Sequence, residues 1–167
     1  HGDYNLQNTV AALSVVFSNG VEVDSAACGL RDFKRTKKRQ EIKGVVNGIT
    51  VIDDFAHHPT AVGCVVRAIS DRFPQSRLWC CFEVESNTSR RRIFQDAYPP
   101  AFEGAFAVLF CKALEKTDSL PEEERLSLTE VTADLQRRGI HALVIPEVDD
   151  IVQWLVPRLQ HGDVVLG

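Results

Sequence analysis

Methionine is absent from the 167 residues, and several motifs that would assign a function directly are missing too. Natural chains normally start with methionine, so we expect an excised piece of a longer protein. No apolar run approaches the length of a membrane span, and the polar opening HGDYNLQN is unlike a signal peptide, so no membrane association is expected. No P-loop and no G-x-S-x-G motif occur, which leaves no obvious means of gripping ATP phosphates and no evident nucleophile.

Cysteine is present but lacks the spacing of a metal or redox site. The number is odd, there is no C-x-x-C pair, and three of the five lie within apolar runs. These features favour buried structural thiols in a reducing compartment, for which the cytoplasm is the default. The five are Cys28, Cys64, Cys80, Cys81 and Cys111.

The composition is that of a single globular domain. Hydrophobic residues make up 44% and the net charge is −4, which argues against a dedicated nucleic-acid binder. A basic run over residues 31–43 nevertheless holds seven Lys or Arg against two acidic residues. Such a run is either a solvated face or a phosphate clamp. Phe33 is its one aromatic residue, which makes a nucleic-acid interface the weakest interpretation.

The pattern of apolar runs predicts an α/β fold. Asn47-Gly48 between two β-rich runs predicts a hairpin, because both residues tolerate the positive φ of a type I′ turn. Short apolar strands then alternate with helices, which predicts an open Rossmann-like sheet, mostly parallel with an antiparallel hairpin strand at one edge and helices on both faces. The predicted helices are 8–17, 25–33 (capped by Asp24), one opened by Pro59, 89–102 (broken at Pro99-Pro100), 121–135 and 149–159; the predicted strands are 41–46, 49–53, 78–82, 105–110, 142–145 and 163–166.

Two polar stretches follow predicted strands, where open α/β sheets bind ligands. The first, residues 53–59, reads DDFAHHP and allows three interpretations: a metal site, a nucleotide or substrate contact, or a structural turn with a capping aspartate. A third spaced ligand is lacking, so no metal is assigned. The second stretch, residues 83–92, places Ser89-Arg90-Arg91 at the amino end of a predicted helix, which favours an anionic ligand.

Four segments in order resemble the C-terminal domain of the Mur ligase family. YNLQNTVAA at the start resembles its His-Asn-x-x-Asn-x-x-Ala-Ala stretch, and KRQE at 38–41 its Arg-Arg-x-Glu. The specific match is DDFAHHP, which is similar to Asp-Asp-Tyr-Ala-His-His-Pro, and GDVVL at 162–166 resembles the final strand. The similarity covers essentially all of residues 1–167, with about 1–20 forming the junction with a missing central domain.

The resemblance implies an ATP-dependent amide ligase that forms an acyl phosphate on UDP-N-acetylmuramate. The segment SNTSRR at 86–91 is similar to a segment of the family members that add the murein tripeptide. These members act in cell-wall recycling, and their tripeptide is L-alanyl-γ-D-glutamyl-meso-diaminopimelate. The implied Mg²⁺ ligands, the phosphate-binding loop and the sugar site belong to the missing central and N-terminal domains. The implied roles are Asn5 and Asn8 at the adenine side, Arg39 on the ATP phosphates, Asp54 on the ribose, His57 facing the amine or product, and Ser86, Asn87 and Arg90 in the peptide pocket.

Two departures from the pattern affect these expectations. Tyr4 stands where many members have His, and Val84-Glu85 replaces the usual Pro-Arg before the peptide-pocket segment. The alternatives are a ligase that adds L-alanine or another amino acid, a non-catalytic nucleotide- or partner-binding module, and a basic-patch nucleic-acid binder. For the ligase interpretations, the isolated chain is expected to be inactive.

Overall fold

The computed structural model describes residues 2–33, 36–84, 89–111 and 120–167. A six-stranded sheet has the order β1-β2-β6-β3-β4-β5, in which the β1–β2 pair is antiparallel and the other pairs are parallel. The predicted fold class is therefore confirmed. The elements are α1 (Asp3–Ser18), α2 (Val23–Asp32), β1 (Glu41–Val46), β2 (Ile49–Asp53), α3 (Pro59–Arg72), β3 (Leu78–Glu83), α4 (Tyr98–Ala101), β4 (Ala107–Cys111), α5 (Leu128–Arg137), β5 (His141–Val144), α6 (Val148–Leu155) and β6 (Val164–Leu166).

The hairpin forms where the sequence predicts it. Val46 and Ile49 are partners, so the loop holds two residues, Asn47 with φ 51° and Gly48 with φ 78°. Positive φ at both central positions is the signature of a type I′ turn, whose twist matches that of the paired strands. Glu41 pairs with Asp53, so the hairpin brings the residues before β1 beside those that follow β2.

Helices cover the two faces of the sheet unequally. The main core joins α3, α4 and α5 to one face, with Ile69, Tyr98 and Leu135 fully buried among strand residues. A smaller core joins α6 to the other face through Ile151 and Leu155. Burial of each large apolar side chain stabilises the fold by about 1.5–3 kcal/mol, so the main core dominates stability.

An ion pair closes the amino end of β6. Arg77 donates to both oxygens of Asp163 at 2.9 and 2.6 Å, and Trp79 Nε1 and the Gln160 amide donate to Oδ2 at 3.2 and 2.8 Å. The Asp163 side chain is 4% exposed. Burial opposes its ionisation, but the hydrogen bonds from Arg77 and Gln160 outweigh that effect and lower the pKa of Asp163. Asp163 is thus a structural carboxylate that pins β6 to β3.

The two N-terminal helices contribute little to either core. Ala26 is buried in α2, whereas α1 has no buried residue and exposes Leu6, Val10 and Val15 by more than half. Both helices lie near their predicted places, although α1 starts at Asp3 instead of Asn8. The predicted Asp24 cap is wrong, because Asp24 lies inside α2 and Glu22 occupies the cap position. Among the described residues, no helix is both long and apolar enough to cross a membrane.

The predicted helix over residues 89–102 is wrong. Residues 92–94 form a single 3-10 turn, and α4 begins only at Tyr98, with Pro99 in its first turn. Proline removes a helix-interior donor but is tolerated at a helix start, so Pro99 opens a helix instead of interrupting one. Arg91 forms a bridge with Arg125, and the Arg90 carbonyl accepts from the Leu126 amide at 2.8 Å. The expected helix N-terminus at Ser89-Arg90-Arg91 therefore does not exist.

The helix predicted from Pro121 begins later. Residues 122–124 form a 3-10 turn, and α5 starts at Leu128 after Ser127, whose hydroxyl accepts from the Glu130 amide at 3.3 Å. A serine whose side chain satisfies an exposed helix-start amide is a strong N-cap. The Ser127 cap therefore fixes the start of α5, and the acidic residues 122–124 lie outside it.

Candidate functional site

A cleft lies along the carboxyl ends of the parallel strands, where the sequence predicted ligand contacts. Its volume is about 760 Å³. The polar part of its wall is formed by the residues that follow β2 and by Glu83 at the end of β3, and the apolar part by α3 and α6. The residues at its rim that bear on the chemistry are Lys38, Asp53, Asp54, Phe55, His57 and Glu83.

Asp54 organises the loop between β2 and α3. Its Oδ1 accepts from the Ala56 amide and its Oδ2 from the Gln40 amide, both at 2.8 Å. Its own amide donates to the Gly167 carbonyl at 2.8 Å, which joins the loop to the end of β6. A carboxylate that binds two backbone N–H groups holds both in place. Asp54 therefore links three segments that are distant in sequence.

The start of α3 partly fits the structural interpretation of DDFAHHP. The cap is His58, not an aspartate: its Nδ1 accepts from the Thr60 amide at 3.3 Å. Pro59 occupies the first helical position as predicted, where its missing N–H has no intrahelical partner to lose. Asp54 instead forms a local turn through Ala56. The structural alternative was thus right about a turn and wrong about which side chain caps the helix.

Arg39 projects from a backbone loop that is bonded to the Asp54 segment. Lys38 and Gln40 on either side of it have φ of 55° and 47°. The Phe55 amide donates to the Lys38 carbonyl at 2.9 Å, and the Gln40 amide binds Asp54. Positive φ is uncommon for residues other than glycine, so these two bonds stabilise an otherwise disfavoured conformation. The Arg39 guanidinium consequently lies over the Phe55 ring, 6.0 Å from its centroid.

His57 is oriented by two contacts. Its Nδ1 lies 3.0 Å from the Phe55 carbonyl. A carbonyl only accepts, so Nδ1 bears the proton and Nε2 is the acceptor of the neutral ring. The His57 carbonyl accepts from the hydroxyl of Tyr98 at 2.7 Å. Tyr98 is fully buried, and burial raises the pKa of its hydroxyl to about 12, so it stays a donor at neutral pH.

Three thiols, those of Cys80, Cys81 and Cys111, line the cleft without the properties of a nucleophile, and burial raises the pKa of Cys80. Burial raises the pKa of Cys81 to about 11, and burial followed by the charges of Glu83 and Glu147 raises that of Cys111. Cys111 also donates to the Pro146 carbonyl at 3.1 Å. Protonated thiols are poor nucleophiles and poor metal ligands. All five cysteines are free, and within the described ranges no group of three His, Cys, Asp or Glu could hold a metal ion.

Asp54 and His57 line the cleft, whereas Arg39 does not line it but lies beside it, with its guanidinium over the cleft residue Phe55. Asn5 is half-buried and Asn8 exposed on α1, and neither is among the described residues that line the cleft. Arg90 is buried, 9% exposed, beside residue 126 and is likewise not in that lining. Ser86 and Asn87 lie outside the described residues. Arg90 is thus the one member of the predicted peptide pocket that the structure describes, and the pocket stays a prediction.

Sequence reasoning missed Gln40 and Tyr98, and it noted Tyr4 only as a departure from the family pattern. Gln40 is 2% exposed, and its Nε2 donates to the Tyr4 hydroxyl. The pKa of Tyr4 is raised, first by burial and then by the negative charge of Asp54. A buried glutamine between two basic residues and a strand leaves no recognisable pattern. Tyr98 could have been noticed, because it directly precedes Pro99-Pro100, and proline is tolerated in the first turn of a helix.

Comparison with known proteins identifies the family. The family model for the Mur ligase, glutamate ligase domain matches residues 38–167. The UDP-N-acetylmuramate–L-alanine ligase of Clostridium kluyveri is 31% identical over 169 residues, covering 99% of this chain and 35% of that protein. The chain thus spans about a third of the length of the curated relatives it matches.

Solved structures agree with that assignment. A murein peptide ligase from Psychrobacter arcticus is 30% identical, with a TM-score of 0.69, over 99% of this chain and 34% of its own. The MurF ligase from Thermotoga maritima in complex with ADP shares the fold, with a TM-score of 0.66 at 20% identity over 99% of this chain and 34% of its own. The chain belongs to the Mur ligase family and has the fold of its C-terminal domain.

Proposed function

We propose that residues 1–167 are the C-terminal domain of an ATP-dependent amide ligase, with residues 1 to about 20 at the junction with a central domain. The full protein would activate the carboxylate of UDP-N-acetylmuramate as an acyl phosphate and join it to an amine. Family membership supports this proposal, as do Asp54 and His57 in the cleft wall with Arg39 beside it over Phe55. The ADP bound to the MurF ligase supports ATP as the nucleotide, with Mg²⁺ held by groups outside this chain.

Distinct roles are proposed for Arg39, Asp54 and His57. Arg39 is exposed and stacked on Phe55, so its fork of donors is available to phosphate oxygens. Negative charge that develops during phosphoryl transfer is stabilised by such a positioned cation. Asp54 has a remaining acceptor site on each oxygen beyond its two backbone bonds, which suits ribose hydroxyls. His57, with Nε2 as acceptor, would face the incoming amine.

Asn5 and Asn8 complete the proposed nucleotide site from α1. Both would lie on the adenine side, and Tyr4 links the amino end of α1 to the Arg39 loop. Ser86, Asn87 and Arg90 are proposed for the peptide side. Because Arg90 is buried, it would act by positioning neighbouring residues.

For the amine we propose the tripeptide L-alanyl-γ-D-glutamyl-meso-diaminopimelate. The Ser-Asn-Thr segment at 86–88 supports it, as does the 30% identity to the Psychrobacter arcticus murein peptide ligase. A second candidate is free L-alanine, because the Clostridium kluyveri relative at 31% identity is named for that substrate. Tripeptide use would place the protein in cell-wall recycling, whereas L-alanine use would place it in wall synthesis.

The test is ligation by the full-length protein with ATP and UDP-N-acetylmuramate, offered either tripeptide or L-alanine. Arg39→Ala should lower kcat/KM by about 10- to 100-fold, because a hydrogen bond to a charged group is worth about 1.5–3 kcal/mol. Arg137→Ala is the matched control, since it removes an exposed arginine from α5, on the face away from α6.

The outcomes separate the alternatives. Turnover with tripeptide alone supports the recycling assignment, and turnover with L-alanine alone discards it while keeping the ligase. Equal activity of Arg39→Ala and Arg137→Ala would remove Arg39 from the nucleotide site. The 167-residue chain by itself is expected to show no turnover, and no turnover by the full-length protein with either amine would favour a non-catalytic module.

A further inference from the structure

A side-chain contact between Tyr4 and Gln40 joins α1 to the candidate site. Gln40 Nε2 donates to the Tyr4 hydroxyl. The Tyr4 ring is half-buried and packs against the main core, and its hydroxyl meets the side chain of Gln40, the residue after Arg39. The contact joins residues 36 positions apart, on a helix outside the matched domain and a loop at its edge.

Gln40 connects three residues of the candidate site and its surroundings. Its side chain binds Tyr4, its amide binds Asp54 Oδ2 at 2.8 Å, and its neighbour in sequence is Arg39. It does so with φ of 47°, a conformation that a residue with a Cβ seldom adopts. A disfavoured backbone angle persists only where surrounding contacts enforce it. The Tyr4 contact is therefore a restraint on where Arg39 and Asp54 lie.

Neither residue belongs to the pattern that identifies the family. Tyr4 stands at the position of the His in the resembled opening motif, and Gln40 fills the variable position of Arg-Arg-x-Glu. Taken singly, Tyr4 and Gln40 are ordinary differences from the family pattern, but in the structure their side chains are hydrogen-bonded to each other. A hydrogen bond between two buried or half-buried polar side chains is costly to leave half made. The two residues are thus expected to act as a unit.

We propose that Tyr4 and Gln40 are a pair of positioning residues that holds the Arg39–Asp54 loop against α1 in the geometry that binds ATP. The inference rests on the proposed function, because ATP binding is what the positioning serves. Neither residue needs to touch the nucleotide. Loss of either side-chain partner lets the loop relax, which weakens the ATP complex more than it slows the chemical step.

The experiment measures KM for ATP, KM for the amine and kcat in the full-length protein for Tyr4→Phe, Gln40→Leu and the double variant. Each single change is expected to raise KM for ATP about three- to tenfold, the size of one hydrogen bond, with kcat changed less than twofold. Tyr4→Phe keeps the ring that packs on the core. The double variant should be no worse than the worse single variant, because both changes break the same contact.

Gln153→Leu on the exposed side of α6 is the matched control and should leave all three constants unchanged. Additive effects of the two single changes, or an unchanged KM for ATP, would overturn the pair while leaving the proposed function intact. A parallel rise in both KM values together with a loss of thermal stability would indicate a purely structural contact. That outcome would also overturn the proposed positioning role. An inactive wild-type protein would instead overturn the proposed function, and the pair with it.

Discussion

Asp163 and Asp54 lie at opposite ends of the central strands and show how one residue type serves two purposes. Asp163, at the amino end of β6, faces a guanidinium that is bonded to both of its oxygens. Asp54, at the carboxyl end of β2, binds only backbone N–H groups at the positions described. A carboxylate neutralised by arginine is closed to further ligands, whereas one held by amides keeps acceptor sites. The Asp163 pair therefore stabilises the amino end of the sheet, whereas the binding role proposed for Asp54 lies at the carboxyl end.

The largest expected effect comes from breaking the amino-end pair. Asp163→Asn leaves Arg77 without its counter-charge and should lower the free energy of unfolding by about 2–3 kcal/mol, below the range for fully buried pairs because Arg77 is 31% exposed. The measurement is urea unfolding of the 167-residue chain. KM for ATP in the full-length protein should stay unchanged, and a change in KM comparable to the stability loss would contradict the separation of the two ends.

The carboxyl-end aspartate should show the reverse balance. Asp54→Asn presents an NH₂ group to one of two backbone donors, so we expect about 1–2 kcal/mol of lost stability, the cost of an unsatisfied buried donor. KM for ATP should rise about tenfold or more, because the Arg39 loop loses its anchor. Asp71→Asn on the exposed face of α3 is the control. A fully active Asp54→Asn protein would show that the loop does not depend on the carboxylate.

Tyr98 is a buried residue that supports the loop after β2 through its bond to His57. Tyr98→Phe removes the donor to the His57 carbonyl and should cost about 1 kcal/mol, the value of one neutral hydrogen bond. Kinetically, KM for the amine should rise while KM for ATP holds, because His57 faces the amine in the proposed arrangement. Thermal unfolding and steady-state kinetics test the two parts. An effect confined to ATP would move His57 to the nucleotide side.

The smallest expected effect is a difference in acid sensitivity. The folded pKa of Asp163 lies below its unfolded value, so its contribution is present above the unfolded pKa near 4 and is lost as pH falls through the folded pKa. The stability gap between wild type and Asp163→Asn should therefore narrow below about pH 4. Urea unfolding at pH 7 and at pH 3 measures it, and a gap of constant size would show that the ion pair does not depend on the Asp163 charge.

The sequence was most informative where local chemistry decides structure. Asn47-Gly48 predicted the turn because few other residues accept two positive φ angles in succession. The β-α alternation predicted the parallel sheet and located DDFAHHP at its binding edge. Prediction was poorest over residues 89–102, because a helical pattern of apolar residues there competes with a bridge to residue 125 that no local pattern reveals.

By itself, the sequence determined the fold class, the hairpin and the family, since each depends on a short motif or a local periodicity, and it predicted Arg39, Asp54 and His57 as site residues. Only the tertiary structure decided how those residues are held. The bonds of Gln40 to Asp54 and to Tyr4 span 14 and 36 positions and require a positive φ at a glutamine. Such a conformation is unfavourable locally and is stabilised only by contacts between distant segments, which is why one-dimensional patterns do not contain it.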